Sequence, residues 1–141
     1  MKRNKSLSIN RHEIREIAVQ SLFSIETTED DAETAIQSTM QLCDLTEEEV
    51  PDYLMFLVSG TLDKQDELDS EISKQLKDKW TVKRLSRIDR TILRMGLFEM
   101  ENSLEVPKKV AIDEAIELAG DFGEKDSKAF VNGILSNFVE G

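Results

Sequence analysis

The chain has 141 residues, 39% of them hydrophobic, and a formal net charge of −11, which suits one ordinary domain with a modest core. One histidine (His12) and one cysteine (Cys43) leave too few ligands for a histidine-based zinc site and exclude an intramolecular disulfide, and the six glycines are too scattered for a phosphate loop. No apolar run is long enough to span a membrane and no secretory signal precedes the first helix, so a soluble, cytoplasmic, non-enzymatic protein without cofactor or metal is expected.

The spacing of apolar residues predicts helices throughout. The first covers about 10–25, with Asn10 as N-cap, Ile14, Ile17, Ala18, Ser21, Leu22 and Ile25 on its apolar side, and Arg11 and Arg15 sharing another side. A second covers about 30–43. Pro51 suits a first helical turn, so a long helix is expected from Pro51 to about Leu76, burying Tyr53, Phe56, Leu57, Gly60, Leu68, Ile72 and Leu76. Trp80 to Leu85 read as a turn, with Trp80 either packed at the core or its edge or stacked on a base. Ser86 and Asp89 have capping-box spacing and start a helix at Arg87. Pro107 opens the next helix, Gly123 ends it as a C′ residue, and Ser127 caps the last, which buries Phe130, Val131, Ile134, Leu135 and Phe138. The fold class is all-α, with six to seven helices.

Charge is distributed unevenly. Residues 1–15 hold five basic residues against one acid, and residues 79–95 hold six against one; residues 26–78 hold sixteen acids against three lysines. If the two cationic segments meet in space they form one basic patch in an acidic body, suited to an anionic polymer.

The second half carries longer signatures. "WTVKRLSRIDRTILRMGLFE", "VPKKVAIDEAIELAGDFG" and "DSKAFVNGIL", with "RHEIREIAVQSLF" near the start, resemble the NusB family of bacterial transcription antitermination factors. The resemblance implies one NusB-like domain of two small helical bundles, about 10–77 and 80–140. It implies binding to boxA RNA together with the ribosomal protein NusE, within the antitermination complex of RNA polymerase, chiefly on ribosomal RNA operons. It leaves homodimerisation open.

On this resemblance the RNA-binding candidates are Arg3, Lys5, Arg11, His12, Arg15, Lys83, Arg84, Arg87, Asp126, Lys128 and Phe130, and the NusE-facing candidates are Phe23, Asp89 and Arg90. Each has a plainer alternative. Arg11 and Arg15 also fit a solvated helix face; Phe23 and Phe130 also fit the core; Asp89 also fits a cap. Arg94, deeper in its helix, is assigned to a structural ion pair. His12 and Glu13 stand where the family commonly has further basic residues, and Phe23 where it often has tyrosine. Ala129 occupies the family's lysine position, with Lys128 one residue earlier. A helical scaffold or oligomerisation module without a nucleic-acid role is the competing function.

Overall fold

The computed structural model describes residues 9–46, 48–77 and 80–139. Among these residues the chain is all-helical: α1 (Arg11–Thr28), α2 (Ala32–Leu42), α3 (Asp52–Asp63), α4 (Gln65–Ser73), a 3₁₀ turn (Val82–Arg84), α5 (Arg87–Asn102), α6 (Lys108–Phe122), α7 (Ser127–Leu135) and a closing 3₁₀ turn (Ser136–Phe138). No helix among the described residues is long and apolar enough to cross a membrane. Two compact units divide the chain, Met1–Gly60 and Thr61–Gly141, so the boundary falls within α3 and α4 belongs to the second unit.

In the first unit the start of α1 is fixed by a complete capping box. The Glu13 N–H donates to Asn10 Oδ1 at 2.8 Å and the Asn10 N–H donates to Glu13 Oε1 at 3.2 Å. α1 pairs with α2, and at their contact Ser21 donates to Thr39 in a buried 3.1 Å hydrogen bond. Asp31 caps α2 by accepting from the Thr34 N–H at 2.8 Å, which sets the helix start slightly later than the periodicity suggests and holds the Asp31 carboxyl below its usual range.

The long helix expected from Pro51 to Leu76 is two helices. Lys64, at φ −104° and ψ 13°, interrupts it, and α4 ends at Ser73. Neither glycine nor proline marks the interruption; the apolar phase continues across it through Leu57, Leu68 and Ile72, all 0–1% exposed. Propensity permits one helix here, and the backbone at Lys64 makes two. α3 turns Leu54, Leu57 and Val58 inward, each fully buried, whereas Tyr53 and Phe56, expected in the core, are only half-buried.

The second unit is built on α5, α6 and α7, which pack on one another, with α4 against α5. Gly96 permits this close approach: a Cβ there would lie 3.0 Å from Leu135 Cδ1 and 3.1 Å from Ala115 Cβ. Ile92, Leu93, Leu97, Leu118 and Leu135 are fully buried around it. Trp80 is not a core residue; it is 59% exposed, and Val82 and Leu85 fill the interior from that segment instead.

Two expected caps differ in detail. Gly123 ends α6 with φ −96°, not in the left-handed region; glycine is needed because a Cβ would stand 2.7 Å from the Ala119 carbonyl oxygen and closer still to Ser127. Ser127 is the first residue of α7 and not its cap. Its hydroxyl accepts from the Glu124 N–H at 2.9 Å, closing the loop, and Asp126 takes the N-cap position without a side-chain capping bond.

Candidate nucleic-acid interface

The candidate residues fall into two groups, one on each unit, while Arg3 and Lys5 lie outside the described residues. On the first unit Arg11, His12, Arg15 and Phe23 all belong to α1. Arg11 is its first residue, and its guanidinium carbon lies 3.8 Å from the centroid of the Tyr53 ring. Tyr53 in turn packs against Phe56, with centroids 5.3 Å apart and ring planes at 42°. His12 Nε2 lies 3.6 Å from Glu16 Oε2 one turn on, so a protonated His12 meets a carboxylate. Arg15 is only 3% exposed, so it does not stand on a solvated face beside Arg11. Phe23 is half-buried.

Glu13 has a structural reason to be acidic: its carboxylate completes the capping box. Cys43, at the C-terminal end of α2, keeps its proton more firmly than an ordinary thiol. Desolvation is the main cause, followed by the negative charges of Glu16 and Glu13. A thiol held in this form is a poor nucleophile.

On the second unit Lys83 and Arg84 sit exposed on the 3₁₀ turn. Arg90 reaches back from α5 and donates to the carbonyl oxygens of Lys83 and Leu85, each at 3.4 Å, bracing that turn. Arg87, the first residue of α5, is exposed. The Ser86 hydroxyl accepts from the Asp89 N–H at 3.2 Å, the expected cap. The Asp89 carboxylate keeps one oxygen, Oδ1, that is shielded from solvent and accepts no hydrogen bond among the described residues. The three arginines of the α5 stripe therefore differ: Arg87 is displayed, Arg90 supports the preceding turn, and Arg94 is clamped. Arg94 Nε and Nη2 donate to the two carboxylate oxygens of Asp69 on α4 at 2.6 and 2.8 Å, the ion pair expected for this position.

Around the start of α7, Asp126 and Lys128 are exposed and Phe130 is half-buried, so its ring is neither sealed in the core nor fully displayed. The Lys128 stem lies across Gly120 of α6: a Cβ on Gly120 would approach Lys128 Cδ to 2.9 Å. Tyr53 and Phe56 are residues that periodicity alone misplaces. Tyr53 stands four residues before Leu57, so spacing alone sets it beside the buried stripe of Leu54, Leu57 and Val58.

This arrangement belongs to a recognisable family. The model of the NusB family matches residues 12–140. The chain is 45% identical over 139 residues to the transcription antitermination protein NusB of Latilactobacillus sakei subsp. sakei (strain 23K), covering 94% of this chain and 98% of that protein. The structure superposes on NusB of T. maritima with a TM-score of 0.80 at 29% identity, covering 95% of this chain and 93% of that one. The fold also matches a chain of a crystallised complex of the antitermination factors NusB and NusE with double-stranded RNA, at a TM-score of 0.79 and 22% identity, covering 92% and 96%. With the family matched across nearly its whole length, the chain belongs to the NusB family.

Proposed function

We propose that this protein is an RNA-binding transcription antitermination factor that takes boxA RNA together with NusE and joins the elongating polymerase in the cytoplasm, mainly on ribosomal RNA operons. The observation that carries the RNA reading is the pair Lys83 and Arg84, displayed on a short turn whose carbonyls are braced by Arg90. In a chain of net charge −11, an exposed pair of cations on a turn braced by a third supports contact with an anion. Arg87 and Arg11 add phosphate contacts, which position the RNA, while Asp126 and Phe130 supply a base-edge acceptor and a stacking ring. Lys128 adds charge near them, and His12 adds charge on α1 when protonated. Arg15, being buried, supports α1 from within and reaches RNA only if complex formation uncovers it. Lys2, Arg3 and Lys5 contribute long-range attraction.

On the protein side, Asp89, half-buried in the first turn of α5, is the acidic candidate for the NusE contact. Arg90 is a further candidate on the same unit, and Phe23 is the candidate on the first unit. Names among the relatives support both partners: the Latilactobacillus protein is an antitermination factor, and a protein of this fold is crystallised with NusE and double-stranded RNA.

The test is a salt-titrated anisotropy measurement with labelled single-stranded boxA RNA, its duplex and a scrambled strand, with and without NusE. Binding strengthens with NusE and prefers the boxA strand. Reversing Lys83 and Arg84 to glutamate weakens it and flattens the salt dependence by about 0.7 in log–log slope for each phosphate that is no longer neutralised. Equal binding of scrambled RNA in the presence of NusE defeats specific recognition. Charge reversals that leave activity intact, where apolar-face substitutions abolish it, establish the scaffold alternative instead.

A further inference from the structure

We propose that Tyr53 is a positioning residue for RNA binding, acting through Arg11: its ring fixes the plane of the Arg11 guanidinium at the start of α1. This rests on the RNA-binding reading above and names a residue that reading does not contain.

Arg11 occupies an electrostatically poor place for a merely structural cation, because the N-terminal end of a helix dipole is positive. The negative face of an aromatic ring offsets that cost, and the guanidinium carbon stands 3.8 Å from the Tyr53 centroid, well inside cation–π range. Both partners are anchored. The Asn10–Glu13 capping box fixes the backbone at Arg11, and fully buried Leu54, Leu57 and Val58 fix α3, from which the ring projects. Phe56 backs the ring. Stacking uses the face of a guanidinium, whereas its N–H donors lie in the plane. Held this way, the Arg11 guanidinium loses less side-chain freedom when a phosphate arrives.

The experiment is a double-mutant cycle on affinity for labelled single-stranded boxA RNA with NusE present, using Arg11→Ala, Tyr53→Leu, Tyr53→Phe and the Arg11→Ala/Tyr53→Leu pair in the full chain. Tyr53→Leu weakens binding about two- to five-fold. Tyr53→Phe, which keeps the ring, binds like the parent, and Tyr53→Leu has no further effect once Arg11 is alanine. Because Tyr53→Leu also changes packing, the parent chain is examined by NMR, where the Arg11 side-chain protons shift upfield under the ring.

Wild-type binding by Tyr53→Leu beside weakened Arg11→Ala overturns the positioning role and leaves the RNA reading standing. So does an equal loss from Tyr53→Leu with and without Arg11, or an Arg11 resonance at its unstructured position. Absence of RNA binding by the parent chain removes the RNA reading itself and this inference with it.

Discussion

Arg11 and Arg94 are both arginines carried on helices, yet the two units treat them differently. In the first unit Arg11 rests on a ring, its guanidinium carbon 3.8 Å from the Tyr53 centroid. In the second, Arg94 gives two donors to both oxygens of Asp69 and is sequestered between α4 and α5. The difference teaches that a cationic stripe is not a count of ligand-binding charges. A carboxylate partner consumes donors and ties helices together, whereas an aromatic partner orients a cation. Arg90 is an intermediate case, using carbonyl oxygens to shape the turn that displays Lys83 and Arg84.

The largest expected effect comes from breaking the clamp. Arg94 and Asp69 have side chains only 11% and 26% exposed, so removing one partner strands a poorly solvated charge. Arg94→Ala should lower unfolding free energy by about 2 kcal/mol, below the range for fully buried pairs because Asp69 keeps some solvent. Urea titration reads this directly, and Asp69→Ala added to Arg94→Ala should recover part of it. RNA affinity of the folded protein should stay at the parent value. A destabilisation under about 0.5 kcal/mol would make the pair a surface ion pair and erase the contrast with Arg11.

How much of this was legible depends on the range of the interactions. Helix starts at Arg11 and Arg87 follow from Asn10 and Ser86, because a cap is decided within four residues. The all-α class and the location of the cations were equally plain. The interruption at Lys64 was not, since neither glycine nor proline stands at it. Nor was the side of α3 that faces inward: Tyr53/Phe56 and Leu54/Leu57/Val58 are adjacent apolar stripes, and periodicity does not say which one is buried. The same limit hid the burial of Arg15, which shares a helix side with Arg11 by spacing but not by exposure. Partners of a charge are tertiary facts, and a single sequence shows only the charge.

A third way of holding a cation sharpens the comparison at a smaller scale. The Lys128 stem lies over the bare backbone of Gly120, where a Cβ would meet its Cδ at 2.9 Å. Gly120→Ala replaces a poor helix former within α6 and should stabilise the protein by up to about 1 kcal/mol. The new methyl also displaces the lysine, so RNA affinity should fall, by about two-fold if Lys128 makes one screened contact. Thermal melts and anisotropy on the same sample test both signs together. A rise in stability with unchanged affinity would class Lys128 with the structural cations.

The smallest effect concerns like charges on the same helix pair that the clamp joins. Glu101 of α5 faces Glu71 of α4, and its pKa is raised to about 7, first by partial burial and then by the hydrogen bond to and charge of Glu71, with Lys108 and Lys64 acting in the opposite direction. A carboxyl whose folded value exceeds its unfolded value binds its proton more tightly in the native state. Its contribution to stability is therefore complete below the ordinary value of 4.5 and is lost as pH rises through about 7. Glu101→Gln keeps a hydrogen-bond donor where the proton sits and removes the titration. The variant should melt close to the parent at pH 4.5 and above it at pH 8, by less than about 1 kcal/mol because solvent screens this partly exposed site. A variant less stable than the parent at the higher pH would mean that the lysines, not Glu71, govern Glu101, and that α4 is held to α5 by attraction at both points.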